Sequence, residues 1–296
     1  MKKALIKLHI SVFLWGFTGV LGRTINLKEG WLVWWRTFIT IVSMWILYAV
    51  LKKIEKISWK QFLVVGGIGV ILALHWLCFY GSIKYSNVSI ALTCLSSSGF
   101  VSAIFEPLFF KRKINPKEIL IGILNIVGIF IIYFGNIHFS TGIFIGLTAM
   151  LFSVTASILN KKTIDKYNPE TYTLYQLTGS FVGLCLMMPL YNYFFPTTNI
   201  FPQKLDWVWL FVLAWFCTIL SFVLYMEALQ HVSAFTSNIV LTLEPVYGII
   251  LAFFLYKENK ELSHFFYIGL LCILLAVVLQ TRIITRHSKE STILLE

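Results

Sequence analysis

The sequence predicts an all-α polytopic membrane protein with ten transmembrane helices in two inverted five-helix repeats. Of its 296 residues, 58% are hydrophobic and 12% are charged, whereas soluble domains carry about 25% charged residues. Apolar runs of about 20 residues recur along the whole chain, and each could cross about 30 Å of hydrocarbon as a helix. In addition, one segment of the second half is similar in sequence to a segment of the first half.

This internal similarity relates residues 82–113 to residues 225–258. In this alignment Ser98-Gly99 lies opposite Glu244-Pro245. Because each half would hold an odd number of helices, the second half must insert upside down relative to the first. Inverted repeats are typical of secondary transporters, which hold substrate near the bilayer midplane where the repeats meet. Gly99 and Pro245 interrupt corresponding helices, and this favours a binding site at their level.

The apolar runs give the helix positions, and the charges give an orientation. We predict helices at residues 5–23, 31–51, 61–83, 87–110, 118–135, 139–160, 170–191, 207–229, 233–256 and 265–284. The first repeat is assigned to residues 1–136 and the second to residues 137–296. With a cytoplasmic N-terminus, most of the 24 lysines and arginines fall on the cytoplasmic side, as the positive-inside rule requires.

The remaining composition excludes several classes of function. The net charge of +11 does not indicate a nucleic-acid partner, because the basic residues form short clusters between the apolar runs. The five cysteines lie inside apolar runs without CxxC spacing, so we expect no metal site and no cofactor. A nucleophile elbow, an HExxH motif, a P-loop and a dinucleotide fingerprint are all absent from the sequence. We therefore predict neither an enzyme nor an ATP-driven pump.

Two carboxylates are candidate site residues. Glu244 lies beside Pro245 in the middle of an apolar run, where an ionisable residue costs roughly 2.5–3.5 kcal/mol on insertion scales. It could bind a substrate amine or carry a proton, or it could fix the packing around Pro245. Glu106 lies about one turn from Lys111, so it could act in binding or form a structural ion pair.

His75 and three aromatic residues are further candidates. The ordinary pKa of histidine suits proton coupling, although His75 could equally be a satisfied buried side chain. Trp15, Trp76 and Tyr80 could form an aromatic wall for a cation or a flat ring, or could pack in the bundle. The remaining candidates are polar residues that could line a cavity or hold helices together: Ser96, Ser97, Ser98, Ser153, Ser157 and Asn238.

Arg36 is expected to be an anchor. It follows Trp31, Trp34 and Trp35, and tryptophans at the start of a membrane helix are typical of an interfacial belt. Because a long basic side chain near that belt can reach water, we expect Arg36 to extend to the interface rather than to bind substrate.

Several of these features resemble a known family. They are Trp15-Gly16, Arg36, the segments SIKYSNVSIAL and EALQHVSAFTSNIVLTLEPVYGIILAFFLYKE, and Gly122 or Gly269 near the start of the last helix in each half. Together they resemble the EamA-like branch of the drug/metabolite transporter (DMT) superfamily over essentially the whole chain. The resemblance implies two inverted five-helix repeats around a central cavity. It also implies transport of small metabolites, often outward: amino acids and derivatives, sugars, nucleotide sugars or cationic drugs.

The two halves also differ from each other, and this leaves the substrate open. The first half has Ser98-Gly99 and the basic run 111–113 where the second has Glu244-Pro245 and Lys257-Glu258. We predict a secondary transporter, an exporter of amino acids or related metabolites, in a bacterial inner membrane with both termini cytoplasmic. The alternatives are a ligand-binding sensor or enzyme in the membrane, or a channel.

The predicted partners follow from this function. They are the lipid bilayer, a small-molecule substrate and, as a candidate coupling ion, the proton. A monomer and a homodimer are both compatible with the sequence.

Overall fold

The computed structural model describes residues 2–52, 54–111, 116–232, 240–241 and 243–293, and this part of the chain contains helices and no strand. The helices are α1 (Lys2–Thr24), α2 (Glu29–Val50), α3 (Trp59–Tyr85), α4 (Val88–Ser96), α5 (Ser98–Phe110), α6 (Pro116–Gly135), α7 (Ser140–Thr163), α8 (Pro169–Phe194), α9 (Lys204–His231), α10 (Leu243–Tyr256) and α11 (His264–Ile293). Helix α9 includes a π-helical segment, Trp215–Leu220.

The apolar stretches of the described helices fall into two groups by length. Six are long and apolar enough to cross a membrane, namely α1, α2, α3, α7, α8 and α9. Four further apolar stretches of 10–17 residues, 88–102, 119–135, 243–256 and 264–279, lie at the other predicted positions. The prediction of an all-α membrane protein is confirmed. Because a perpendicular crossing takes about 20 residues, ten crossings stay a prediction.

The predicted helix 87–110 is broken at Ser97, where α4 ends and α5 begins. Serine hydroxyls take part in this break. Ser97 Oγ donates to the carbonyl oxygen of Cys94 at 2.6 Å, and Ser96 Oγ donates to that of Leu92 at 3.1 Å. Side chains that bond to carbonyls of their own helix compete with its backbone hydrogen bonds and often bend it. The interruption predicted at Ser98-Gly99 is therefore observed one residue earlier.

Most of the extensive helix contacts join a helix of one half to a helix of the other half. Helix α3 packs on α7 and α8, and α1 packs on α9 and α10. Helices α4 and α10 contact each other, as do α2 and α8, and α6 and α11. When the helices of one half are exchanged with their counterparts in the other, the pair α3–α7 maps onto α1–α9, and the pairs α2–α8, α4–α10 and α6–α11 each map onto themselves. The core of the protein therefore lies between the halves.

Glycines allow the closest helix crossings. Residues Gly66 of α3 and Gly179 of α8 face each other, and a Cβ atom on Gly179 would lie 2.2 Å from Gly66 Cα. Residues Gly16 of α1 and Gly248 of α10 meet in the same way, since a Cβ on Gly248 would lie 3.0 Å from the Gly16 carbonyl oxygen. Such small-residue contacts let membrane helices approach closely.

We expect Gly179→Ala to destabilise the protein by about 1–3 kcal/mol, because the added methyl group would overlap backbone atoms that cannot move independently. Thermal unfolding in detergent measures the change. Gly67→Ala is the matched control, since a Cβ there meets nothing within 4 Å and alanine favours the helix. Equal stability of the two variants would contradict the close crossing.

Candidate functional site

A cavity of about 230 Å³ lies where the two halves meet. Its walls come from α1 to α5 in the first half and from α7, α9, α10 and α11 in the second. The polar lining residues are Thr18, Arg36, His75, Ser96, Ser98, Ser102, Ser153, Ser157, Asn160 and Glu244. The aromatic lining residues are Trp15, Trp76, Phe79, Phe222 and Tyr225. A mostly apolar cavity that is also lined by polar groups, among them the basic Arg36 and the acidic Glu244, has the character of a small-molecule site.

Arg36 lies in this cavity wall and not at the interface. The residue is 1% exposed. Its Nε donates to Thr218 Oγ1 at 2.9 Å, and its Nη1 donates to the Tyr80 hydroxyl at 2.8 Å. The guanidinium carbon lies 4.1 Å from the centroid of the Trp76 ring. The expectation that Arg36 reaches the interface is wrong, because hydroxyl acceptors and an aromatic face replace water around the inward-turned cation.

The π-helical segment of α9 positions Thr218 for Arg36. Thr218 Oγ1 donates to the carbonyl oxygen of Leu213, five residues earlier, at 2.8 Å. Single π-helical turns occur frequently at functional sites. The next residues extend the network, since Trp15 Nε1 donates to Ser221 Oγ at 2.9 Å and Ser221 Oγ donates to the Thr218 carbonyl at 3.2 Å. Helices α1, α2 and α9 are thus joined around the cavity.

Glu244 enters the cavity from the first turn of α10. Among the described residues, the ion pairs within 4 Å are Lys7–Glu227, Arg23–Glu258 and Arg23–Glu261. None of these involves Glu244 or Arg36. Glu244 and Arg36 thus line the same cavity without forming an ion pair with each other.

His75 lines the cavity from α3, with its Nδ1 2.9 Å from the carbonyl oxygen of Ala149 on α7. Because a carbonyl only accepts, Nδ1 must carry the proton, and Nε2 is then the acceptor of the neutral ring. The ring also stacks on Phe79, with centroids 6.0 Å apart. His75 thus combines a satisfied structural contact with a position on the cavity wall.

The other predicted site residues separate into three groups. Trp15, Trp76 and Ser153 lie on the cavity wall. Tyr80 is 0% exposed and lies behind the wall, where its hydroxyl holds Arg36. Ser97 is also buried and bonds to its own helix, whereas its neighbours Ser96 and Ser98 line the cavity.

The structure does not describe the side chains of two predicted residues. Glu106 belongs to α5, but its side chain is not among those described, and Asn238 lies outside the described residues.

Asn160 is a lining residue that the sequence analysis missed. Its Oδ1 accepts hydrogen bonds from the Tyr172 hydroxyl and from Gln176 Nε2, each at 2.7 Å. These contacts join α7 to α8 at the edge of the cavity. The available signal was helical spacing, because Ser153, Ser157 and Asn160 recur three and four residues apart and so share one helix face.

The fold defines a multi-pass membrane protein whose two halves enclose a cavity. Comparison with known proteins then gives the family. The model of the EamA-like transporter family matches residues 2–134 and 140–282, and the chain belongs to this family, which is part of the DMT superfamily. The two matches fall in the two halves of the chain.

A curated protein and a solved structure are examples of proteins that this chain is similar to. A protein of Haemophilus influenzae (strain ATCC 51907 / DSM 11121 / KW20 / Rd) named "Uncharacterized transporter" is 25% identical over 263 residues, which are 84% of each chain. A solved structure titled "Crystal structure of protein" has a TM-score of 0.64 at 12% identity and covers 95% of this chain and 98% of its own. The second similarity shows the fold alone. Family and relative together indicate a membrane transporter rather than an enzyme.

Proposed function

We propose that this protein is a secondary transporter that exports small metabolites, amino acids or related compounds, by alternating access. The observation that carries the proposal is the central cavity. Its walls come from both halves, and it holds Arg36 and Glu244 within a strongly apolar bundle. Ionisable side chains inside a membrane protein are costly and mark substrate or ion pathways. The outward direction rests on the family resemblance.

In this proposal the two halves are inverted repeats that rock against each other. The exchange symmetry of the packing pairs supports this arrangement, because related halves make equivalent contacts. The break at Ser97 adds support, since interrupted helices form the substrate sites of such transporters. Ser96 and Ser98, on either side of the break, line the cavity.

Ion pairs tie α1 to other helices at both ends of the bundle. Lys7 Nζ lies 2.5 Å from Glu227 Oε2, where α1 begins and α9 ends. Arg23 pairs with Glu258 and Glu261, where α1 ends and α10 ends. Alternating access would open one end while the other stays closed. We expect the Lys7 end to face the cytoplasm of a bacterial cell, because the basic residues are concentrated on that side.

Counterflow in sealed vesicles tests the proposal. The purified protein is reconstituted into liposomes that are loaded with unlabelled tryptophan or phenylalanine, and uptake of the labelled amino acid is followed. A secondary transporter gives saturable, transient accumulation. Binding without flux would instead support a membrane sensor or enzyme, and flux that never saturates would support a channel. Empty liposomes provide the background.

Protons are the proposed coupling ion, with Glu244 as the group that binds them. We expect flux in wild-type vesicles to respond to an imposed pH gradient and this response to be lost in Glu244→Gln, because the amide cannot take up a proton. Flux is compared between about pH 5 and about pH 8, the range over which a perturbed carboxyl or a histidine can titrate. Equal rates of wild type, Glu244→Gln and Glu106→Gln throughout that range would contradict proton coupling.

A further inference from the structure

Asn125 of α6 is a buried amide that lacks hydrogen bonds. The residue is 1% exposed. Among the residues that the structure describes, neither its Nδ2 nor its Oδ1 has a hydrogen-bond partner. The large majority of buried side-chain polar atoms are bonded, so each exception needs an explanation. Two unpaired groups on one buried side chain are costly. In this conformation asparagine is therefore an unfavourable residue at position 125.

The position of Asn125 on α6 places it beside the break between α4 and α5. Helix α6 packs on α5 and α11. A Cβ atom on Gly122 would overlap the Phe100 ring of α5, and Ile129 packs against an apolar cluster that contains Cys94 of α4. Residues 122, 125 and 129 recur three and four apart, so they share one helix face. Asn125 thus lies between the part of α6 that meets α5 and the part that packs towards α4.

The break makes its own hydrogen bonds without Asn125. Ser97 Oγ donates to the carbonyl oxygen of Cys94, and Ser96 Oγ donates to that of Leu92. The Ser97 N–H also donates to the Cys94 carbonyl, at 3.2 Å. The last carbonyls of one helix and the first N–H groups of the next have no partner within their own helices. An amide side chain has one acceptor oxygen and two N–H donors, so it can bond groups of both kinds.

The break separates Asn125 from the central cavity. Ser96 and Ser98 line the cavity, whereas Asn125 does not. Interrupted helices form the substrate sites of secondary transporters, so a ligand in the cavity would act on the break from one side. Asn125 meets the break from the other side. A movement of α5 relative to α4 would therefore change which backbone groups the amide can reach.

The two halves of the chain differ at this position. Gly122 and Gly269 stand near the starts of corresponding helices, and the residue three places later is Asn125 in the first half and Cys272 in the second. A free cysteine in a core behaves as a small apolar residue. The amide therefore accompanies the serine-rich break of the first half and has no counterpart in the second half.

We propose that Asn125 is a positioning residue of the transport cycle. Its amide is unpaired in the present conformation and bonds backbone groups of the α4–α5 break in the conformation that opens the opposite end. The unpaired amide raises the free energy of the present conformation, and the new hydrogen bonds lower that of the other. Both conformations then stay populated, as alternating access requires. This inference rests on the proposed transport function, since it names a residue of the conformational change.

Stability tests the first part of this proposal. Asn125→Leu keeps the branched shape and removes the polar atoms, so we expect a gain in Tm of about 2 °C or more for the purified protein in detergent. Asn136→Leu is the matched control, because Asn136, directly after α6, is equally buried but bonded. It donates to the Ile132 carbonyl at 2.9 Å and accepts from the Ser263 N–H at 3.1 Å, and its loss should lower the Tm.

A second variant covers a site too small for leucine. Asn125→Cys introduces the residue type that the second half carries at the corresponding position, and its side chain is no larger than that of asparagine. It should also raise the Tm. A lower Tm in both Asn125→Leu and Asn125→Cys would overturn the proposal, because it would show that the amide is already satisfied.

Counterflow tests the second part. In sealed vesicles with tryptophan or phenylalanine, we expect Asn125→Leu to exchange substrate about tenfold more slowly than wild type, although the variant is more stable. The substitution stabilises one conformation and removes hydrogen bonds from the other, and a tenfold change is the size expected for one such bond. An amide with a purely structural role, or one paired with buried water throughout the cycle, predicts flux at the wild-type rate. That result would overturn the proposal.

Hydrogen exchange separates this inference from the function on which it rests. Mass spectrometry of a peptide that spans residues 92–102 measures, without any substrate, how often the break leaves the present conformation. We expect exchange there to be about tenfold slower in Asn125→Leu, with residues 62–72 of α3 unchanged. Slower exchange at the break without flux in wild type or variant would overturn transport and leave the role of Asn125 standing. Flux in wild type, with flux and exchange unchanged in Asn125→Leu, would overturn that role and leave the transporter standing.

Discussion

Replacing Glu258 with alanine is expected to destabilise the protein by about 3–5 kcal/mol, the usual result of removing one partner from a buried ion pair. Glu258 is 0% exposed. Its Oε1 accepts hydrogen bonds from Arg23 and from the backbone N–H of Val88, the latter at 3.1 Å. Its Oε2 accepts from the N–H and the hydroxyl of Ser89 at 2.8 Å and 2.6 Å.

The size of this effect comes from the number of groups that would lose their partner together. Val88 and Ser89 open α4, where backbone N–H groups have no partner within the helix and the helix dipole favours a negative charge. Alanine would leave those donors buried and unsatisfied, and Arg23 would lose the buried one of its two described carboxylate partners and keep the exposed Glu261, at 3.1 Å. Contacts between α1, α4 and α10 would weaken in one step.

Unfolding in detergent, followed by thermal scan or by titration with denaturant, measures this change. Glu261→Ala is the matched control, because Glu261 shares the partner Arg23 but is exposed. It should cost no more than about 1 kcal/mol, as expected of a surface ion pair. A Glu258→Ala protein as stable as Glu261→Ala would show that the buried carboxylate does not hold this end of the bundle together.

The sequence predicted the fold well because its signals are averages over many residues. The apolar runs and the internal sequence similarity each extend over many residues, so a few residues that depart from the pattern do not hide them. Ser98-Gly99 marked the broken helix within one residue, because small polar side chains in an apolar run are themselves the cause of the break. The close crossing of α3 and α8 depends on Gly66 and Gly179, and nothing in the sequence identified Gly66 as the residue opposite Gly179.

The cavity was predicted only in part, because side-chain direction is not written in local sequence. Arg36 stands beside a tryptophan belt, and that pattern is typical of an interfacial anchor. Its inward direction depends on Tyr80 and Thr218, which are distant in sequence. The π-helical segment WFCTIL is an ordinary apolar run in the sequence and gives no signal of its irregular backbone.

The second large change in stability is expected at Thr218, which lies in that π-helical segment. We expect Thr218→Val to destabilise the protein by about 2–3 kcal/mol, because it removes the acceptor of Arg36 Nε and leaves a charged donor buried without its partner. Valine has nearly the shape of threonine, so packing volume is kept and the loss reports the hydroxyl. The variant also removes the 2.8 Å bond from Thr218 Oγ1 to the Leu213 carbonyl, which contributes to the π-helical turn.

The control is Thr148→Val, whose hydroxyl donates to Phe144 on the exposed surface of α7 at 3.0 Å. Removing that exposed bond should change stability by less than about 0.5 kcal/mol. Unfolding of both variants in detergent gives the comparison, and the two values should differ by about 2 kcal/mol. Equal values would contradict the view that Thr218 satisfies a buried cation.

Binding distinguishes positioning from simple stability. Because Thr218 fixes the direction of the guanidinium, its loss should weaken the binding of tryptophan, which carries a carboxylate, more than the binding of tryptamine, the amine that lacks it. Tyr80→Phe removes the other hydroxyl acceptor of Arg36 and should produce the same selective loss. If both variants lower stability but weaken the binding of tryptophan and tryptamine equally, the hydroxyls support the bundle without orienting Arg36. A selective loss would place the specificity of the cavity in the contact between α2, α3 and the π-helical turn of α9.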